Sequence, residues 1–229
     1  FGDPDDHKKG YIVYAHDDFY FLPGWDIAWK KEIEKLNHNL FYLSGTMVQN
    51  GQVNFDCGEN ISDFDEDKLL KNNDKIKYFD FQGSTWAPHI VHKETWNKVG
   101  GFSEEFFPGT GSDPDLNMKL WNAGVRIFKG VGNCKVYHFG SIVTRKKFKK
   151  DKNVITESGS KGGKIFLKKW GFSIKFFTKY YLRGCKTTKI KKIICNKYDG
   201  PLKEPNKNLN YYISLLIDKT KRLLISDEI

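Results

Sequence analysis

Cysteine is scarce in this 229-residue chain, with four in all at Cys57, Cys134, Cys185 and Cys195. No two form a CxxC pair, which argues against a zinc knuckle. Their spacing outlines no disulfide framework, so the expectation is free thiols in a reducing, cytoplasmic setting. Long apolar runs are also missing. No stretch approaches the ~18 residues of a membrane span, and no secretory leader is visible. The chain opens on Phe1-Gly2-Asp3 rather than Met, and so reads as a piece of a longer protein or one whose front was removed. Acidic residues are scarce in one segment only. Residues 145–192 hold 17 Lys and Arg against two acids, whereas residues 1–144 hold 15 against 21. The formal charge of +10 therefore belongs to a segment, and an argument from the whole-chain isoelectric point would mislead.

What is plentiful is aromatic side chains, 15% of the sequence, enough for a sizeable core. The stretch Gly10–Trp25 organises the rest. Tyr11–Ala15 is short, apolar and β-rich, as a buried strand is, and it leads into the adjacent carboxylates Asp17 and Asp18. Open α/β sheets place ligands at such strand ends. Two neighbouring acids repel and call for a cation, a donor or water; a hard divalent ion carrying a phosphate supplies both charge and geometry.

Further along, Trp25, Trp29, Ile33 and Leu36 recur at helical spacing. Asn50-Gly51 between apolar runs predicts a hairpin within Tyr42–Phe55. Ser62–Asn73 is acidic, with capping character at Ser62. Tyr78–Gln82 and His89–His92 read as strands, and a spacing of three points His89 and His92 to opposite faces. Lys93–Val99 makes one or two helical turns that stop at Gly100-Gly101. Ser112-Asp113-Pro114-Asp115 opens a helix, with Asp113 expected as N-cap and Pro114 at N1, and Gly124 closes it. Val125–Phe128 and Lys135–His138 read as two strands. Ser158–Gly163 reads as a linker, and an apolar-rich helix over Tyr211–Ile225 ends the chain.

Asp17-Asp18, Asp113 and His138 thus end separate elements, and an open sheet can bring such ends to one edge. A carboxylate and a distant His suit Mn²⁺ or Mg²⁺ with positions left for phosphate oxygens. Asp113 would then remain as a general base. Each has a plainer reading: a solvated turn, a helix cap, a packed His.

Four motifs in order resemble the later part of a GT-A glycosyltransferase of glycosyltransferase family 2. Tyr11–Asp18 is similar to the strand ending in the family's metal-binding acids. The segment from Gly83 through His89–His92 to Val99-Gly100-Gly101-Phe102-Ser103-Glu104 is similar to the acceptor-side segment. Ser112-Asp113-Pro114-Asp115-Leu116, with Lys119-Leu120 and Gly124, is similar to the helix carrying the catalytic base. Val136-Tyr137-His138 is similar to the late strand supplying a metal-binding His. Lys168-Lys169-Trp170-Gly171 adds a softer likeness. His16 stands where the family often has a first acid, and Ser112 where it commonly has Glu. The nucleotide-binding βαβ unit that opens family members would precede Phe1.

The resemblance implies a partial α/β GT-A fold with an open mixed sheet over residues 1–144, and a basic helical C-terminal extension over 145–229. It implies an inverting, metal-dependent transferase that takes a nucleotide-diphosphate sugar as donor and a glycan, lipid-linked or protein hydroxyl as acceptor. Asp113 would be the base, Asp18 and His138 the ligands of Mn²⁺ or Mg²⁺, and Asp17 with Asp18 the donor contacts. Trp86, Gly101 and Asp115 would lie on the acceptor side, Trp86 stacking on a sugar or packing in the core. The basic, aromatic segment 145–192 suits peripheral contact with an anionic membrane surface, or plain packing; no nucleic-acid fold signature accompanies it. Two other functions remain open: a glycan-binding relic without turnover, and a basic nucleic-acid-binding protein.

Overall fold

A computed structural model describes residues 10–107, 109–140, 152–188 and 193–225, apart from the side chains of 152–160. The runs Arg145–Lys152 and Phe1–Lys9, read above from sequence, lie almost entirely outside them. The protein is mixed α/β around an open, curled sheet in the order β1-β5-β3-β6-β2, with β4 also on β6. The strands are β1 (Tyr11–Tyr14), β2 (Phe19–Phe21), β3 (Phe41–Val48), β4 (Phe81–Gln82), β5 (His89–His92) and β6 (Ile127–His138). β3 and β6 run parallel, and every other pairing in this sheet is antiparallel.

All eight residues of β3 are buried, as expected of a central strand with both faces covered. Helix α1 (Trp25–Leu36) covers one face; Trp29 is buried on Phe41, Leu43 and Ile127. On the other face lie α3 (Lys93–Val99) and α4 (Ser112–Asn122). With them sits a C-terminal lobe of α5 (Lys152–Trp170), α6 (Ile174–Phe177) and α7 (Leu209–Leu223). Phe166, Phe172, Phe176 and Phe177 of this lobe share one core with Tyr42, Val91 and Phe128 of the sheet and Leu116 and Leu120 of α4. Each such side chain contributes about 1.5–3 kcal/mol on burial. Phe166, Phe172, Phe176 and Phe177 of the basic segment are therefore core residues shared with the sheet.

Several local expectations are corrected. The linker at Ser158–Gly163 lies inside α5, because the helix backbone closes on the loop before α4; a β-carbon at Gly162 would sit 1.8 Å from the Thr110 carbonyl oxygen. The two late strands are one strand, β6, interrupted by an irregularity opposite Ser44 and Thr46. Asn50-Gly51 does turn the chain, but Val53 makes only an isolated bridge to Val48, since the Gln52 side chain takes the Met47 N–H at 2.8 Å. The acidic stretch is helical only as α2 (Glu66–Lys71), capped by Asp65; Ser62 instead bonds Asn60.

The cysteine reading is also corrected. Cys185 and Cys195 form a disulfide. They flank β7 (Lys186–Thr187) and β8 (Ile193–Ile194), whose register pairs Lys186 with Ile194 and Thr187 with Ile193. One step further the register sets the two cysteines face to face, with Cα atoms 4.1 Å apart. Spacing alone does not disclose this, because the pairing follows from the hairpin.

Candidate active site

β1 delivers the chain to a turn at Asp17-Asp18, and β2 leaves it antiparallel to β6 with Phe19 opposite His138. That register brings residues about 120 apart in sequence together: the Phe139 N–H donates to the Asp18 carbonyl at 3.1 Å, and His138 Nε2 lies 3.3 Å from Asp18 Oδ2. Asp18 is buried and Asp17 exposed. His138 Nδ1 is 3.3 Å from the Asn50 carbonyl oxygen. A carbonyl only accepts, so Nδ1 carries a proton and Nε2 is the atom offered to Asp18. Unless Nε2 is also protonated, a lone pair there faces a carboxylate, and a cation resolves the repulsion. Metal-ligating His side chains commonly donate their other ring N–H to a backbone carbonyl in this way. Among the described residues no cluster of three or more His, Cys, Asp or Glu could hold an ion. Asp18 and His138 thus fit a cation that takes its remaining ligands from water or phosphate oxygens, as Mg²⁺ commonly does.

Asp113 is not the N-cap of α4. Gly111, at φ 92°, holds that position, which makes Asp113 the second helical residue and Pro114 the third. Its side chain is released from capping. Asp113 Oδ1 is shut off from solvent with no hydrogen-bond partner among the described residues, and desolvation pushes its pKa up to about 7. An acid poised there can accept a proton near neutral pH. Asp115, two positions on, points elsewhere. Its oxygens accept from Ser103 Oγ at 2.6 Å and Trp170 Nε1 at 2.8 Å, with Lys169 Nζ at 2.9 Å. Of the expected acceptor-side residues, Asp115 ties α4 to α5. Gly101 turns the chain at φ 56° with its carbonyl accepting from Lys119 Nζ.

Tyr14 at the end of β1 links the two acid sites. Burial raises its pKa, and the charges of Asp113 and Asp17 raise it further; its ring packs on those of His16, His89 and Phe102. Beneath lies Tyr42, fully buried. Its hydroxyl is 3.2 Å from the Trp86 carbonyl oxygen and 3.1 Å from His89 Nδ1. It must donate to the carbonyl, so His89 Nδ1 donates to it. That leaves His89 Nε2 a bare acceptor, also without a partner among the described residues. Burial, with the charge of His16 adding, lowers the His89 pKa to about 3, so the ring stays neutral. Asn117 Nδ2 donates to the carbonyls of Asp113 at 2.7 Å and Thr85 at 3.3 Å, while its Oδ1 and Trp86 Nε1 are unpartnered. Three acceptors, Asp113 Oδ1, His89 Nε2 and Asn117 Oδ1, and one donor, Trp86 Nε1, are thereby left without a partner among the described residues. His92, as its spacing suggested, turns away and caps α3 through the Glu94 N–H.

Two cavities flank this arrangement. One, of about 370 Å³, is lined by Asp17, Asp18, Phe19, Tyr20, Phe64 and Phe139 among others. The other, of about 540 Å³, opens beside Tyr14, Phe102, Ser103, Phe106 and Ser112. Both have the size of small-ligand sites. Sequence patterns reached Asp18, Asp113 and His138. Tyr14, Tyr42 and Asn117 escaped them, because a strand or helix residue of ordinary type shows its polar role only when its neighbours are known. Compared with family models, curated proteins and solved structures, the chain matches none.

Proposed function

We propose that this chain is the acceptor-binding and metal-binding part of an inverting GT-A glycosyltransferase. It would move a sugar from a nucleotide-diphosphate donor to a hydroxyl acceptor. The observation that carries the reading is the presence of two dissimilar acid sites around the end of β1: Asp18 paired with His138, and Asp113 with its bare oxygen, with Asp113 and Asp17 both acting on Tyr14. Transfer with inversion needs this division of labour. Asp113 takes the proton of the acceptor hydroxyl, the freed oxygen attacks the anomeric carbon, and the nucleoside diphosphate leaves from the opposite face. Mn²⁺ or Mg²⁺ held by Asp18 and His138 would neutralise charge on the departing diphosphate. His89 Nε2, Asn117 Oδ1 and Trp86 Nε1 suit a ligand rich in hydroxyl groups, since each can meet a partner that donates and accepts.

β1 supports the reading further. Among the described residues it pairs with β5 alone, and Tyr11 and Val13 are exposed above a cavity of about 480 Å³ shared with Trp25, Trp29 and Ile90. An edge of that kind can take further strands, as the nucleotide-binding half implied by the resemblance would require. The test is sugar transfer and donor hydrolysis by the full-length chain over a panel of UDP- and GDP-sugars with Mn²⁺ or Mg²⁺. Loss in both Asp18→Ala and Asp113→Asn is expected, and undiminished turnover in both variants would overturn the proposal.

A further inference from the structure

The C-terminal helix α7 is apolar on two sides. Its inner face is seated: Tyr211 is buried in the core, Asp218 accepts from the Ser173 N–H at 2.8 Å, and the Tyr180 hydroxyl donates to the Asn210 carbonyl at 2.8 Å. Its outer face bears Leu209, Tyr212, Ile213, Leu216, Ile217 and Leu223, all exposed, with Leu216 at 66% and Leu223 at 86%. Leu209, Tyr212, Ile213, Leu216 and Ile217 recur at three and four residues, and Leu223 follows two turns after Leu216 beyond Thr220, so all six share one side of the helix. At about 3.6 residues per turn, Lys219 and Lys221 fall on opposite flanks of that stripe, and both are exposed, as are Lys203 and Lys207 on the approach to the helix. Residues 161–225 together carry 17 Lys and Arg against three acids.

We propose that this face of α7 docks on an anionic lipid bilayer, with the helix lying in the plane of the interface. The inference does not depend on the glycosyltransferase reading. A stripe of Leu, Ile and Tyr bordered by lysines is the pattern of an interfacial helix, whose apolar face enters ~5–10 Å while the flanking ammonium groups meet lipid phosphates. No helix among the described residues is long and apolar enough to cross a membrane, so α7 lies on the surface. A second copy of the chain is a poorer occupant. Pairing α7 with itself would oppose two strongly cationic lobes, and six side chains fall short of the roughly 20–30 residues a side of a standard interface. Phe166, Phe172, Phe176 and Phe177 of residues 145–192 are in the core, so the apolar part of such a contact falls to α7.

Co-sedimentation of the full chain with vesicles tests this. Binding is expected to vesicles containing phosphatidylglycerol and not to pure phosphatidylcholine, and to weaken with salt. I213E/L216E should lower partitioning at least ~tenfold, with circular dichroism and thermal unfolding unchanged because both positions are exposed. K219E/K221E should lower it about fivefold per lysine. Absence of binding to the anionic vesicles, or binding that I213E/L216E leaves intact, would overturn the proposal. So would a dimer in sedimentation velocity that I213E/L216E dissolves.

Discussion

Asp113 and Asp115 stand two residues apart on α4 and live in opposite worlds. A helix turns about 200° over two residues, so the two side chains leave nearly opposite sides of α4, that of Asp115 toward α5. Asp115 is completely buried yet held by a hydroxyl, an indole N–H and an ammonium group. Asp113 is less buried but keeps a bare oxygen and a pKa near 7. Burial is therefore a poor guide to chemistry here. What separates the two acids is whether the fold supplies partners for the charge.

The comparison is most sharply tested by replacing each acid with its amide. Asp113→Asn should lower transfer ~10²–10⁴-fold, as loss of a general base does, while thermal unfolding shows equal or greater stability, since an uncompensated buried acid is gone. Asp115→Asn should do the reverse. It strips the charge from the acceptor that Ser103 Oγ and Trp170 Nε1 share, while Lys169 keeps Glu105 at 2.7 Å, and should cost about 3 kcal/mol in urea unfolding. A variant at either site that shifts activity and stability together would collapse the distinction. Next in size is Trp170→Phe, which removes one charge-assisted hydrogen bond to Asp115 and should cost about 1.5–3 kcal/mol.

The smallest effect expected is in the pH dependence of stability. The Asp113 pKa is raised from 3.8 to about 7, so between these values the folded chain holds a proton that the unfolded chain has released, and stability falls as pH rises. For His89 the pKa is lowered from 6.5 to about 3, so the unfolded chain binds the extra proton and stability falls as pH drops. Between about pH 4 and 6.5 the two slopes oppose each other. Asp113→Asn should uncover the His89 slope, with the melting temperature dropping on acidification; His89→Gln should uncover the opposite one. Identical pH profiles for wild type and both variants would remove the electrostatic part of the argument. Transfer itself should rise with pH through about 7 as Asp113 loses its proton.

Much of this was legible in the residues. The apolar stripe from Trp25 to Leu36 specified α1, Gly124 stopped α4, and the acids after Tyr11–Ala15 marked a strand end. What failed was every inference in which local chemistry had two outlets. Asp113-Pro114 suits an N-cap and a first-turn proline, yet the helix starts earlier, at Ser112, and the cap falls on Gly111 in a left-handed conformation that glycine adopts freely. Ser158–Gly163 has linker composition, yet tertiary packing overrides propensity where small residues let two backbones meet. His138 reached Asp18 through the register of β2 on β6, which no window of sequence contains.

The Cys185–Cys195 clasp has a practical consequence. The other two thiols, Cys57 and Cys134, are buried, and burial raises the pKa of both, so neither reacts readily with an alkylating agent while the chain is folded. Cys185 and Cys195 are buried as well, so iodoacetamide labelling in denaturant followed by mass spectrometry should find two adducts, at Cys57 and Cys134, on molecules whose clasp is closed and four on those whose clasp is open. The protein thus carries its own record of the redox conditions in which it was made.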